Sequence, residues 1–296
     1  MQRWLWQNDP RLYQNTVLAL LLLYGIVWLD FAVSLPYAVT ILATVTLTQA
    51  VCTYVWHVPA FDPRSALISG LSLCLLLRTN VIWYAVVAAV ITIASKFVLR
   101  WRGKHLFNPT NFGLVMMLLW CSDQVWVSSG QWGSAAFAAF FFVCLGGMVV
   151  YRAQRSDVTY AFLGCHIALQ VGRALWLGDP LTIPLHRLQN GALLLFSFFM
   201  ISDPKTTPDS RCGRVLFAAL VALAAGYIQF YLYWGNALLW ALAGSSVTVP
   251  LIDALLPGQR YRWQRAMPPA RHTAPSVTRS VTAAAAEASA APKDRC

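Results

Sequence analysis

Residues 103–116 read GKHLFNPTNFGLVM. They sit between a basic loop (Arg100, Arg102, Lys104, His105) and a short apolar run that ends near Cys121. Two asparagines, a proline and a threonine open what its apolar continuation predicts to be a membrane helix. An apolar helix does not normally start that way without a reason. A second interruption, FMISDPKTTP at residues 199–208, ends another apolar run. The remainder of the chain reads as a scaffold that holds these two places.

Composition sets the class. The chain has 296 residues, 58% hydrophobic and 11% charged, with mean hydropathy +0.56. A soluble domain carries about one quarter charged residues. Apolar runs recur with short gaps, the pattern of a polytopic helical membrane protein. The net charge of +11 is placed mostly in short loops beside those runs. The excess of basic residues in cytoplasmic loops explains it, and nucleic acid is not an expected partner. The seven cysteines (52, 74, 121, 144, 165, 212 and 296) form no CxxC pair, so neither a disulfide framework nor a zinc site is expected. The N-terminal stretch has no small-residue cleavage site, and a removable signal peptide is not expected.

Ten runs follow in order: Thr16–Val33, Pro36–Trp56, Ser65–Leu77, Val81–Val98, Asn108–Cys121, Ser134–Tyr151, Val158–Leu177, Ile183–Ile201, Val215–Tyr233 and Asn236–Leu256. The third and fifth fall short of the roughly 20 residues that cross a hydrocarbon core. They read as half-helices or as helices that borrow polar flanks. With the N-terminus inside, the inward segments hold Arg3, Arg11, Arg64, Arg100, Arg102, Lys104, Arg152, Arg155, Lys205, Arg211 and Arg214. The outward segments hold only Arg78, Arg173 and Arg187. That alternation predicts ten crossings with both termini cytoplasmic.

Ten crossings divide into two halves of five, and an odd number makes the halves enter from opposite sides, as inverted repeats do. Ser65-Ala66-Leu67 precedes Asn108 at nearly the distance by which Gly191-Ala192-Leu193 precedes Asn236. The expected organisation is a cytoplasmic N-terminal segment (1–14), a transmembrane domain (15–256, halves about 15–122 and 134–256) and a basic cytoplasmic tail (257–296). The tail opens with RYRWQR, suited to anionic headgroups. It continues in Ala, Pro, Ser, Thr and Arg with little to bury, so disorder is expected there.

The candidate residues each carry two readings. Asn108, Pro109, Thr110, Asn111 and Gly113 are either a well-capped helix start or a helix end whose free amides face a polar or anionic ligand. Asp203, Pro204, Thr206 and Thr207 are either a proline-stopped loop or a rigid polar turn that contacts a ligand. Asp203 is expected to pair with Lys205, Arg211 or Arg214. His166, Gln170 and Arg173 share one helix face. They form a proton or quinone path, or interhelical glue, with Arg173 reaching the outer interface. Asn236, which opens the last run, joins the candidate ligand or cofactor surface, and Gln49, Asn190 and Ser245-Ser246 are further intramembrane polar candidates. There is no P-loop, dinucleotide fingerprint, HExxH or GxSxG, so hydrolysis and nucleotide binding are not indicated.

Three stretches together resemble one family. GKHLFNPTNFG (103–113) is similar to that family's entry to its fifth helix. NGALLLFSFFMISDPKTTPDSRCGR (190–214) resembles its G-A-x-x-x-x-x-F-F-x-x-T-D-P segment, with Ser202 in place of Thr. WGNALLWALAGSSVTVPLID (234–253) resembles its last helix. The family is the RnfD/NqrB family, which holds RnfD of the Rnf electron-transport complex and NqrB of the sodium-pumping NADH:quinone oxidoreductase. The resemblance implies an all-α, ten-helix inverted-repeat fold. It also implies membership of a redox-driven, ion-translocating membrane complex with other membrane or redox subunits as partners. Family members carry FMN on a Thr after the fifth helix. Here that region reads SDQVWVSSGQWG (122–133), without a Thr. Covalent FMN is therefore not expected, and a noncovalent flavin (FMN or riboflavin) is what the ancestry leaves. The chain looks like a short stand-alone variant similar to members associated with enediyne-type biosynthesis.

The leading expectation is an integral component of an RnfD/NqrB-like electron-transport system in the inner membrane. It would be a redox subunit and not a stand-alone catalyst. The alternatives are a small-solute transporter or channel, motivated by the repeat and half-helices, and a membrane scaffold for a biosynthetic pathway.

Overall fold

The structure is a computed structural model that describes residues 9–29, 33–128, 147, 150–151, 155–188 and 190–261. Most of the sixth predicted run, Ser129 and the tail from residue 262 lie outside the described residues.

Local capping chemistry sets the helix starts. Helix α1 (Pro10–Trp28) begins behind Asp9, whose side chain accepts the Arg11 amide. Helix α2 (Leu35–Val55) begins behind Ser34, which accepts the Tyr37 amide. Each has Pro in its first two positions, where a missing N–H costs nothing. The polar residues ahead of the first apolar run are thus helical, and α1 starts earlier than hydropathy alone placed it. An ion cluster of Asp9, Arg11, Asp62 and Arg64 ties its start to helix α3 (Arg64–Leu76).

Helices α4 (Ile82–Val98) and α5 (Pro109–Trp120) complete the first half, with α2 packed on α3 and α4, and α4 packed on α5. In α3 and α5, 13 and 12 residues span only about 20 and 18 Å. Extended chain follows each of them. Strands β1 (Leu77–Thr79) and β4 (Val125–Val127) pair antiparallel, Leu77 opposite Val127 and Thr79 opposite Val125. The Ser128 amide adds a bond to the Leu76 carbonyl at 2.8 Å. Pairing satisfies backbone groups that apolar surroundings would leave stranded. A second ribbon, β2 (Arg100–Trp101) with β3 (Lys104–His105), folds the basic loop back on itself through Arg102 and Gly103, both at positive φ. The architecture is helical, as expected, apart from these two short ribbons. Strands of two or three residues carry no hydropathy period long enough to read.

In the second half, α6 (Ser156–Leu177) lies along α9 (Arg211–Tyr227). The eighth run, expected as one helix, is two. Helix α7 (Thr182–Leu188) ends and α8 (Gly191–Leu195) restarts behind Asn190, whose side chain accepts the Ala192 amide at 2.8 Å. Helix α8 widens into a π-turn at Phe196–Met200, closed by the Ile201 amide on the Phe196 carbonyl at 3.0 Å. Helix α9 ends in another π-turn, Ile228–Leu232. The tenth run is also split, into α10 (Ala237–Ser246) and α11 (Val249–Leu255), bent by 49°. Pro250 removes a helical donor at that bend. Among the described residues, Leu35–Val55 and Arg211–Leu232 are long and apolar enough to cross a membrane, and the bent pair makes a third if taken as one span.

Candidate functional site

The two interruptions meet. Asn108 caps α5, accepting the Asn111 amide at 3.1 Å, and its Nδ2 donates to the Met200 carbonyl at 3.2 Å. Asn111 Nδ2 then donates to the Leu239 carbonyl of α10 at 3.1 Å. Two neighbouring asparagines therefore stitch the first half to two elements of the second. Gly113 lies against α4, where an added Cβ would sit 1.9 Å from Thr92 Oγ1.

Beyond Met200 the chain turns sharply. Asp203 Oδ1 accepts the Lys205 amide at 2.9 Å, and the Asp203 carbonyl accepts the hydroxyls of Thr206 and Thr207 at 3.2 and 3.1 Å. Thr206 and Thr207 brace the turn. Of the expected partners of the Asp203 carboxylate, Lys205 stays beside it, and the two arginines are engaged elsewhere. Arg214 grips Asp157 of α6 through Nε at 2.8 and 3.0 Å and Nη2 at 2.5 Å, and Arg211 also leans on Asp157. Asp203 instead faces a cavity of about 90 Å³, whose walls include Asn108, Pro109, Thr110, Pro204 and Lys96. Lys96, on α4, is 4% exposed. Its Nζ donates to the carbonyl and the hydroxyl of Ser65 at 2.8 and 3.1 Å. Burial raises the Asp203 pKa, opposed by the Lys205 amide and the charges of Lys96 and Lys205. His105, on the same wall, is held down to about 3 by burial and then by Arg100, Lys96 and Lys205, so it is neutral.

A second cavity, of about 400 Å³, opens at the other end of α3, beside Leu76 and Val127. His166, Gln170, Gln229, Asn190 and Asn236 line it, with Phe196 and Trp234. Gln170 Nε2 donates to Gln229 Oε1 at 2.9 Å and lies 3.4 Å from His166 Nε2. His166 is 6% exposed, and its Nδ1 has no partner among the described residues. Arg173 leaves this group. It reaches Asp179 at 3.8 Å and stacks over Phe230. Met200 lines both cavities. The structure thus separates the sequence candidates into an inner set around Asn108 and Asp203 and an outer set around His166 and Asn236. Lys96, Gln229 and Met200 were not among them. Lys96 had a signal in the sequence: a lone charge just before an apolar run ends.

Buried polar groups gathered between apolar helices, with apolar side chains facing outward, define a helical membrane protein with a polar interior. The NQR2, RnfD, RnfE family matches residues 125–262. The chain is similar to the RnfD subunit of the ion-translocating oxidoreductase complex of Cronobacter sakazakii, 32% identical over 51% of this chain and 39% of that protein. To the corresponding subunit of Escherichia coli O1:K1 / APEC it is 35% identical over 42% of this chain and 34% of that protein. To that of Citrobacter koseri it is 36% identical over 26% and 22%. The matched residues hold the SDPKTTP and VPLID stretches that carry the resemblance. It spans no more than 39% of the length of these relatives. The FNP stretch at 107–109 precedes the matched residues 125–262.

Proposed function

We propose that the chain is a membrane subunit of an RnfD/NqrB-like electron-transport system, coupling redox chemistry to ion movement between the two cavities. The observation that carries this reading is Met200, which walls both cavities at opposite ends of α3. Ten crossings in two inverted halves, with both termini inside, fit it. Arg64 and Pro109 start short helices in the first half, and Gly191 and Ala237 do so in the second at a spacing that differs by one residue. The relatives are named as subunits of an ion-translocating oxidoreductase complex. Redox partner subunits in the same membrane are therefore part of the proposal.

The outer cavity suits a planar heterocycle held without a covalent bond. Its volume is in the range of ligand pockets. It offers a buried imidazole nitrogen that lacks a partner among the described residues, amides from Gln170, Gln229 and Asn190, and the rings of Phe196 and Trp234. A flavin bound there would supply one- or two-electron transfer. His166 would hold or release a proton at Nδ1, and Asn190, Gln170 and Gln229 would orient the ring edge. Ser128, on the rim, is not the Thr that the family's covalent link uses.

The test uses the full chain purified with its redox subunits and reconstituted in liposomes. Met200→Trp fills the shared wall and is expected to lower redox-driven ion uptake at least tenfold. Unchanged uptake refutes a path past Met200. Acid extraction is expected to release a flavin with its visible spectrum, and stoichiometric protein without flavin absorbance refutes the cofactor assignment.

A further inference from the structure

The inner cavity is built from donors. Lys96 carries three N–H groups. Two are used on Ser65, and the third finds no acceptor among the described residues. Thr110 is the second residue of α5, so its amide has no acceptor within the helix. Neither that amide nor its hydroxyl bonds to anything among the described residues, although Thr110 is 4% exposed. Ser72, 6% exposed, also carries a hydroxyl without a partner among them. All three line the cavity. A helix N-terminus, a buried ammonium and two idle hydroxyls call for negative charge. The carboxyl group on the described wall is that of Asp203.

A buried ammonium needs a counter-charge. Asp203 supplies one across the cavity without forming a direct ion pair with Lys96 among the described residues. Two negative charges in so small a space oppose each other. We propose that the inner cavity binds a small monovalent anion of halide size, held by Lys96, Thr110 and Ser72 when Asp203 is protonated and expelled when Asp203 ionises. The other charged groups around Asp203 are Lys205 on its own turn and Arg155 ahead of α6. Arg11 of α1 lines the same cavity and is already bonded to Asp9 and Asp62. His105 is neutral there. A cation would meet Lys96 and the positive end of α5 instead, so the arrangement selects for anions. The inference rests on the cavity walls and does not depend on the redox reading.

The probe is ³⁶Cl⁻ in equilibrium dialysis against the purified full chain, with gluconate holding ionic strength constant. The wild type is expected to bind one chloride, with affinity falling about tenfold per pH unit above the Asp203 titration. Asp203→Asn is expected to bind chloride tightly, with a flat profile at acidic pH, where Lys96 keeps its proton. Lys96→Met is expected to lose binding, and Thr110→Val to weaken it several-fold. Absence of saturable chloride binding at pH 5 in both the wild type and Asp203→Asn overturns the proposal. So does an Asp203→Asn variant that keeps the wild-type pH slope over that acidic range. Because Asp203→Asn gains affinity, the test stands even if Lys96→Met fails to fold.

Discussion

Gly113 offers the sharpest test of how the first half is packed. A methyl group there would lie 1.9 Å from Thr92 Oγ1, 3.1 Å from Thr92 Cβ and 3.3 Å from the Ala88 carbonyl. Real Cβ contacts essentially never fall below 3.0 Å, so something must move by more than 1 Å. Thr92 is fully buried in the middle of α4, and the Ala88 backbone behind it cannot give way cheaply. Overpacking of this kind costs about 1–3 kcal/mol. At about 2–4 °C per kcal/mol for a protein of this size, the middle of that range is a loss of roughly 4–8 °C. The Thr92 hydroxyl has no hydrogen-bond partner among the described residues. Thr92→Ala therefore removes both the obstacle and an unsatisfied polar group. Thermal unfolding of the detergent-solubilised protein, followed by size-exclusion fluorescence, reads all three variants. Gly113→Ala alone should melt several degrees lower, and Thr92→Ala should stay near wild type. The double variant should recover most of the loss. If Gly113→Ala melts like wild type, or the double variant is no better than Gly113→Ala, the close approach of α4 and α5 is wrong.

Two further outcomes follow from buried charge. Asp157→Ala strips the partner from Arg214, whose side chain is 7% exposed, and is expected to cost about 3–5 kcal/mol; Asp157→Asn, which keeps one acceptor, should cost clearly less in the same melting assay. His105 is held neutral down to about pH 3, whereas in the unfolded chain it takes up a proton near its usual value of 6.5. Between those limits the unfolded state binds more protons, so this group removes stability as pH falls. Asp203 acts in the opposite sense: its raised pKa makes the native state the better proton binder, and its contribution falls as pH rises from the unfolded carboxyl's titration to the raised native one. Melting curves from pH 4 to 7 should therefore show His105→Gln losing less than wild type on acidification, and identical slopes would contradict the buried neutral imidazole.

Much of the fold was legible because its signals are local. Ser34, Asn108, Asn190 and Ser210 each cap a helix, and each is a residue type that caps on its own. Helix ends such as Gly178, in the left-handed region at φ 73°, are equally local. What went unread were events shorter than one hydropathy period. Examples are the π-turn at Phe196–Met200, the restart of α8 at Gly191 and the three-residue ribbon that completes α3. The site divides in the same way. Asn108 and Asp203 announced themselves by breaking apolar runs. Lys96 sat inside one, and its role depends on Ser65, 31 residues away.

By itself the sequence determined a helical membrane protein, where its helices start, and that two polar interruptions needed partners. It did so because hydropathy, proline and capping residues act within one or two turns of chain. Only the tertiary structure decided which partners they find. It set Asn108 against the Met200 carbonyl and Asn111 against Leu239. It gave Arg214 to Asp157 and left Asp203 facing Lys96. Charged and amide groups accept many partners of similar energy, so the choice among them is made by the packing of distant helices.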